Sequence, residues 1–186
     1  MWFPVIVSFL FYAAVVFGYL YMLMIIWSIC FPGRRIWPPA AKTWKFYLSW
    51  GVFYLGVGPT VALIFLDWNT WRIPSAIRFG VGAPLTLLGL GVVVWGIRTL
   101  GLVGTHGLES RFTARGPYQF TRNPQYLGDI IMLMGLILMA NSVLVTVVNL
   151  IIILSFILMP LSEESWLTEQ YGEDYLRYKA QTSRFL

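Results

Sequence analysis

The sequence predicts an all-α, polytopic membrane protein with five transmembrane helices, its N-terminus outside and its C-terminus in the cytoplasm. Three observations predict it. Of the 186 residues, 58% are hydrophobic and only 11% are charged, where soluble domains carry about 25% charged residues. The apolar residues gather in charge-free stretches of about the 20 residues that cross a bilayer. Lys and Arg concentrate in alternate loops, as they do on the cytoplasmic side of membrane proteins.

A soluble globule of this size has no way to hide so much apolar side chain from water, and the mean hydropathy is +0.71. This excludes a soluble enzyme, a disordered chain and a small secreted scaffold. The lone cysteine, Cys30, forms no intrachain disulfide, and the lone histidine, His106, excludes a His-based metal cluster. The net charge of +5 does not signal nucleic acid, because the basic residues are scattered over loops rather than gathered on a face. No internal repeat or low-complexity segment is present, and the loops are too short for a second domain.

The first charge-free stretch, Met1–Gly33, lacks the basic start of a signal peptide and reads as a spanning helix. Phe46–Leu66 and Phe79–Ile97 each hold one helix. Ile130–Ser162 is broken at Asn141-Ser142, a turn signal, and reads as a hairpin of two helices. Asn123 followed by Pro124 is a helix start, Asn capping an N–H and Pro preorganised at the first position, so the hairpin runs over 123–161. Eleven of the thirteen basic residues fall in loop 34–45, loop 98–129 and the tail, which places these on the cytoplasmic side. Trp37, Trp44, Trp50, Trp68 and Trp71 lie near span ends, as an interfacial belt requires. The chain therefore divides, within a single membrane domain 1–186, into two N-terminal spans (1–78) and a core (79–186) made of the third span, the hairpin and a tail helix.

The polar residues gather in two places, the loop before the fourth span and the tail after the fifth. The hairpin returns the chain to the face it left, so loop 98–129 and Glu163-Glu164 become neighbours. The helix start at Asn123, with its free N–H groups and positive dipole end, joins Arg111 and Arg122 in a corner suited to a carboxylate or phosphate. Glu163 and Glu164, at the membrane boundary, need a partner or water. In the tail, Leu167, Tyr171, Tyr175 and Tyr178 recur at helical spacing, interrupted at Gly172. Their apolar face is expected to cover loop 98–129 or the membrane surface. Gly89 and Gly91, in a span also holding Gly80, Gly82 and Gly96, read first as sites of close helix packing.

Taken in order, Gly116-Pro117-Tyr118, Arg122-Asn123-Pro124-Gln125-Tyr126-Leu127-Gly128, Glu163-Glu164 and Tyr171-Gly172-Glu173-Asp174-Tyr175-Leu176-Arg177-Tyr178 resemble the isoprenylcysteine carboxyl methyltransferase and phospholipid methyltransferase superfamily. The resemblance covers about residues 86–185. It implies an integral membrane enzyme that uses S-adenosylmethionine on a lipid-like substrate drawn from the bilayer. By position, Ser110, Arg111, Phe112, Thr113, Tyr118, Asn123, Pro124, Gln125, Tyr126 and Glu163 match cofactor-contacting residues. Gly89 and Gly91, with Glu163 and Glu164, match the two short cofactor motifs of the phosphatidylethanolamine methyltransferase branch. Asn123 and Ser110 stand where isoprenylcysteine enzymes usually have His, and Met159 stands where they place an Arg implicated in the substrate carboxylate. An amine, thiol or other lipid-borne nucleophile is therefore favoured over a prenylcysteine carboxylate.

On this resemblance, the Asn123 corner with Arg111 or Arg122 suits the cofactor carboxylate, Glu163 suits its amine or a ribose hydroxyl, and Tyr118 and Tyr126 suit the adenine or the sulfonium. No catalytic residue is assigned. If the acceptor carries a proton, His106 and Glu164 are the candidate bases. The membrane is the cell inner membrane in a prokaryote and the endoplasmic reticulum in a eukaryote. Two other readings stand beside this one. The stretch Arg122–Asp129 and the Tyr-Gly tail also resemble sterol-reductase-like, NADPH-dependent membrane oxidoreductases, against which the Glu163-Glu164 pair argues. A non-enzymatic structural membrane protein leaves the clustering of polar residues on one face unexplained.

Overall fold

A chain this apolar must satisfy its own backbone N–H and C=O groups, and helices do so within a single segment. The computed structural model describes residues 2–185, so Met1, where the first charge-free stretch begins, and Leu186 lie outside them. Five main helices form: α1 Phe3–Cys30, α2 Trp44–Leu66, α3 Ser75–Thr105, α4 Pro124–Ala140 and α5 Val143–Gln181. No strand occurs among the described residues, only an isolated bridge between Ala40 and Leu108. Four of these helices (α1, α2, α3 and α5) are long and apolar enough to cross a membrane. The apolar α4, with 17 residues, is about 26 Å long, just under the thickness of a bilayer core.

The third helix departs from expectation. Rather than ending at Ile97, it runs through Arg98 to Thr105 and bends at Gly101, whose φ is 82°. A charge ends an apolar run but not a helix, since exposed Arg is a good helix former. The segment Arg78–Gly82 is a π-helical turn inside it. The hairpin closes at Asn141, which adopts the left-handed conformation (φ 49°). Ser142 then caps α5 by accepting the Val145 N–H at 3.1 Å. Helix α5 covers 39 residues from the hairpin turn into the tail and is interrupted, as the sequence suggests, by non-helical torsions at Gly172 (φ 54°).

Helix α5 packs against both α1 and α4, which in turn hold α2 and α3 on their outer sides. The two flanking helices, α2 and α3, hardly touch each other. The tightest seam joins α3 to α4. Gly82, Gly89 and Gly96 repeat every seven residues, two helical turns, and face Gly135, Gly128 and Gln125 in turn across it. A Cβ at Gly89 would lie 2.3 Å from the Met132 backbone nitrogen, so the helices approach as closely as they do only because no side chain intervenes.

The end of the bundle opposite the tail is tied by polar groups. Arg78, expected in a loop, is buried there. Its guanidinium donates to the Met139 carbonyl at 3.1 and 2.9 Å and to Asn69 Oδ1, and lies over the Trp68 and Phe79 rings. Asn141 donates to Asn69 Oδ1 at 2.7 Å and to the Trp71 carbonyl at 3.1 Å, and accepts the Ile73 N–H at 2.9 Å. Ser142 donates to Asp67. Removing the buried guanidinium takes the donors from the Met139 carbonyl and Asn69 Oδ1 and leaves its space unfilled, so Arg78→Ala is expected to destabilise the fold by about 3 kcal/mol. Thermal unfolding in detergent should show a Tm fall on the order of 10 °C, with exposed Arg72→Ala as the unaffected control. An unchanged Tm for Arg78→Ala would mean that the network contributes nothing.

Candidate active site

The α4–α5 hairpin brings its two ends together, so that Asn123 and Glu163 line one cavity of about 220 Å³. Its floor, toward the middle of the bundle, is formed by Tyr21 of α1, Phe53 of α2, Asp129 of α4, and Phe156 and Met159 of α5. Its mouth is formed by Ser110–Thr113 and by Tyr171, Tyr175 and Tyr178 of the tail. The Ala40 N–H donates to the Gly107 carbonyl at 2.9 Å and the Glu109 N–H to the Ala40 carbonyl at 2.9 Å, which closes the side between the α1–α2 loop and the end of α3.

Glu163 sits between mouth and floor. Its Oε1 accepts the Trp37 indole N–H at 2.7 Å and the Tyr126 hydroxyl, while Oε2 has no protein donor among the described residues. Tyr126 is in turn stacked on Phe156, with centroids 5.8 Å apart. On the same helix, the Gln125 amide donates to the Tyr118 hydroxyl at 2.8 Å and to Thr105 at 3.2 Å. The Tyr21 hydroxyl donates to the Met159 sulfur at 3.8 Å.

Glu164 is committed elsewhere. It pairs with Arg122 at 3.1 Å, Lys179 at 2.8 Å and Arg184 at 2.8 Å. Burial alone would raise its pKa, but the hydrogen bonds from Arg184 and Lys179 and the Arg122 charge hold it down to about 2. The chain beyond the tail helix completes this clasp. The Ser183 carbonyl accepts the Arg122 N–H at 2.9 Å, and the Arg184 carbonyl accepts from the Asn123 amide at 2.9 Å and the Thr121 hydroxyl at 3.0 Å. Asn123 is therefore the residue before α4, but its side chain does not cap the helix. The amide is drawn to a carbonyl more than 60 residues away in sequence. Arg122 also donates to the Tyr175 hydroxyl at 3.2 Å, yet its Nε is buried without a partner.

The tail roofs the mouth. The Tyr171 hydroxyl donates to the Ser110 carbonyl at 2.9 Å and the Tyr178 hydroxyl to the Tyr118 carbonyl at 2.6 Å. The Phe112 ring lies 5.2 Å from the Tyr171 ring and 5.6 Å from that of Tyr178. Burial pushes the Tyr118 and Tyr178 phenols well above their ordinary range, so both stay protonated, Tyr178 donating to the Tyr118 carbonyl and the Tyr118 hydroxyl accepting from Gln125.

Of the residues singled out in the sequence, Ser110, Arg111, Phe112, Thr113, Tyr118, Arg122, Asn123, Gln125, Tyr126, Glu163 and Glu164 line the cavity. Pro124 is buried at the start of α4 and does not line it. Gly89 lies in the α3–α4 seam, and Gly91 is exposed with nothing within 4 Å, so neither reaches the cavity. Position along a motif does not reveal which helix face a glycine occupies. His106 follows the last residue of α3 and lies tilted against the Trp50 ring, centroids 4.7 Å apart, outside the lining. Sequence reasoning missed Tyr21, Trp37, Trp50 and Phe53 as site residues; they come from the first two helices and the loop between them, where nothing local signals a cavity. It also missed Asp129, whose signal was its spacing: four residues after Gln125 and three after Tyr126 put it on their helix face.

A family model described as phospholipid methyltransferase matches residues 77–174. No curated protein and no solved structure matches the chain. The matched segment contains the loop and helix start at 110–126, Asp129 and the Glu163-Glu164 pair. It leaves out Tyr21, Trp37 and Trp50 of the wall and Tyr175 and Tyr178 of the roof.

Proposed function

The chain belongs to the phospholipid methyltransferase family, and we propose that it methylates a lipid-like acceptor, using S-adenosylmethionine, at the cytoplasmic face of its membrane. The observation that carries this reading is a single cavity with a polar, roofed mouth and a floor made mostly of apolar and aromatic side chains inside the bundle. A water-soluble methyl donor fits the first and a lipid head group the second.

When bound, S-adenosylmethionine supplies an electrophilic methyl group on a cationic sulfur. The donor set suits it. Arg111, which lines the mouth and has no ion pair among the described residues, and the orphaned Arg122 Nε suit its carboxylate. The open Oε2 of Glu163 suits its amine or a ribose hydroxyl. Phe112, Tyr118 and Tyr126 offer faces to the adenine and the sulfonium. Arg122, Asn123 and Glu164 serve chiefly to bind the tail, which excludes water and aligns the reactants. With Glu164 held anionic by three cations and His106 outside the cavity, neither is the base.

The weak packing between α2 and α3 supports sideways admission of the acceptor from the bilayer, past Trp50 and Phe53 on one side and Leu100 and Gly104 on the other. Five spans, with the two N-terminal helices and the core acting as one domain, put the termini on opposite sides. The Lys and Arg bias then places the cavity mouth in the cytoplasm. The membrane is the inner membrane in a prokaryote and the endoplasmic reticulum in a eukaryote.

Thermal unfolding of the purified protein with each cofactor tests the reading. S-adenosylmethionine at about 100 times its Kd is expected to add about 2.7 kcal/mol, a Tm rise on the order of 5–10 °C, and NADPH to add nothing. A shift with NADPH alone would favour an oxidoreductase, and no shift with either would favour a structural role.

A further inference from the structure

The reading above leaves one acid without a task. Asp129 lines the cavity floor beside Tyr21, Phe53, Phe156 and Met159. Among the described residues no group donates a hydrogen bond to it and it forms no ion pair. The other two acids of the cavity are engaged: Glu163 by Trp37 and Tyr126, Glu164 by three cations. A half-buried carboxyl in a bilayer-spanning helix with no protein partner is costly unless something else meets it.

Its depth says what that something is. Asp129 is one helical turn beyond Gln125 and Tyr126, on the side away from the loops. The groups suited to S-adenosylmethionine lie at the mouth and at Glu163, so Asp129 stands where the acceptor's head group enters. The cations that line the cavity, Arg111 and Arg122, belong to the mouth. Nothing at the floor neutralises an acceptor carboxylate, and Asp129 would repel one.

We propose that Asp129 is a catalytic residue that takes the proton of the acceptor, the amine or thiol that the family resemblance favours. The inference rests on the methyltransferase reading and deepens it. The acceptor's lone pair forms the new bond to the methyl carbon. The carbon–sulfur bond breaks and its electron pair stays on sulfur, cancelling the positive charge there. The acceptor's N–H or S–H bonding pair remains on the acceptor, and the proton moves to an Asp129 carboxylate oxygen. Atoms and charge balance with no further reactant.

The test uses the purified full-length protein in lipid nanodiscs, as wild type, Asp129→Asn and Asp129→Glu. Calorimetry gives the S-adenosylmethionine affinity, and labelled-methyl transfer to a total membrane-lipid extract gives the rate and, by mass spectrometry, the product. Asp129→Asn is expected to bind S-adenosylmethionine within about twofold of wild type and to lose at least about 100-fold in transfer, in the range of a missing general base. Asp129→Glu should recover part of the loss, which a purely structural residue would not show. Transfer by Asp129→Asn within threefold of wild type, a methyl ester as product, or a loss of S-adenosylmethionine affinity in folded Asp129→Asn would each overturn the proposal while leaving the methyltransferase reading intact. A wild-type protein that does not bind S-adenosylmethionine would overturn both.

Discussion

Glu163→Ala is expected to weaken S-adenosylmethionine binding by about 30- to 100-fold, or 2–3 kcal/mol, the value of a charge-assisted hydrogen bond lost together with the order it imposes. Glu163 does two things at once. Its Oε1 holds Trp37 of the α1–α2 loop and Tyr126 of α4, and Oε2 is open to the ligand. Alanine removes the proposed ligand contact and leaves the indole N–H and the phenol without their acceptor. Glu163→Gln separates the effects. It keeps an acceptor for Trp37 and Tyr126 but lacks the charge, so its affinity should fall between alanine and wild type. Trp37→Phe should cost less than either. Calorimetry at fixed salt is the measurement, because the interaction is ionic in part. Wild-type affinity in Glu163→Ala would remove this residue from the cofactor site.

The second large effect is expected at Gly89. Even alanine there would place its Cβ 2.3 Å from the Met132 backbone nitrogen and 2.5 Å from the Gly128 carbonyl oxygen. Neither backbone atom has room to yield without α3 and α4 moving apart along a seam that also includes Gly82, Gly128 and Gly135. Gly89→Ala should therefore lose more than about 4 kcal/mol and fail to give a monodisperse protein in detergent. Gly91→Ala, with open space around it, should match wild type in Tm and in S-adenosylmethionine affinity. A Gly89→Ala protein with an unchanged Tm, or a Gly91→Ala protein with impaired binding, would restore a cofactor role to this pair.

The parts of the fold that are legible in the sequence are those coded by neighbouring residues. Asn123-Pro124 marks the start of α4 and Asn141-Ser142 the turn into α5, because a proline ring, a left-handed asparagine and a serine cap act within a few residues of themselves. From those two marks the return of Glu163 to the Asn123 end follows by topology, and with it the position of the cavity. What stayed hidden depends on distant partners. The corner read as an anion site is largely filled by Glu164 and by the Ser183 and Arg184 carbonyls, and nothing near Arg122 in sequence announces them. Arg78 looks like a loop cation until Met139 and Asn69 come to meet it. The wall given by Tyr21 of α1 and Trp37 of the α1–α2 loop comes from a part of the chain that the resemblance did not cover. The end of α3 was misplaced for a different reason: charge marks where a bilayer stops, and a helix need not stop with it.

The bend at Gly172 turns the chain across the mouth of the cavity. No heavy atom beyond its own neighbours lies within 4 Å of a Cβ built there, so it is not close approach that calls for glycine. The bend is set by one pair of torsion angles that other L-residues rarely adopt. The arm that carries Tyr175 and Tyr178 over the mouth is thus turned at a residue without a side chain and fastened at its far end to Tyr118, Arg122, Asn123 and Glu164. A side chain at position 172 would strain the turn without meeting a neighbour, so the roof depends there on backbone stereochemistry rather than on room.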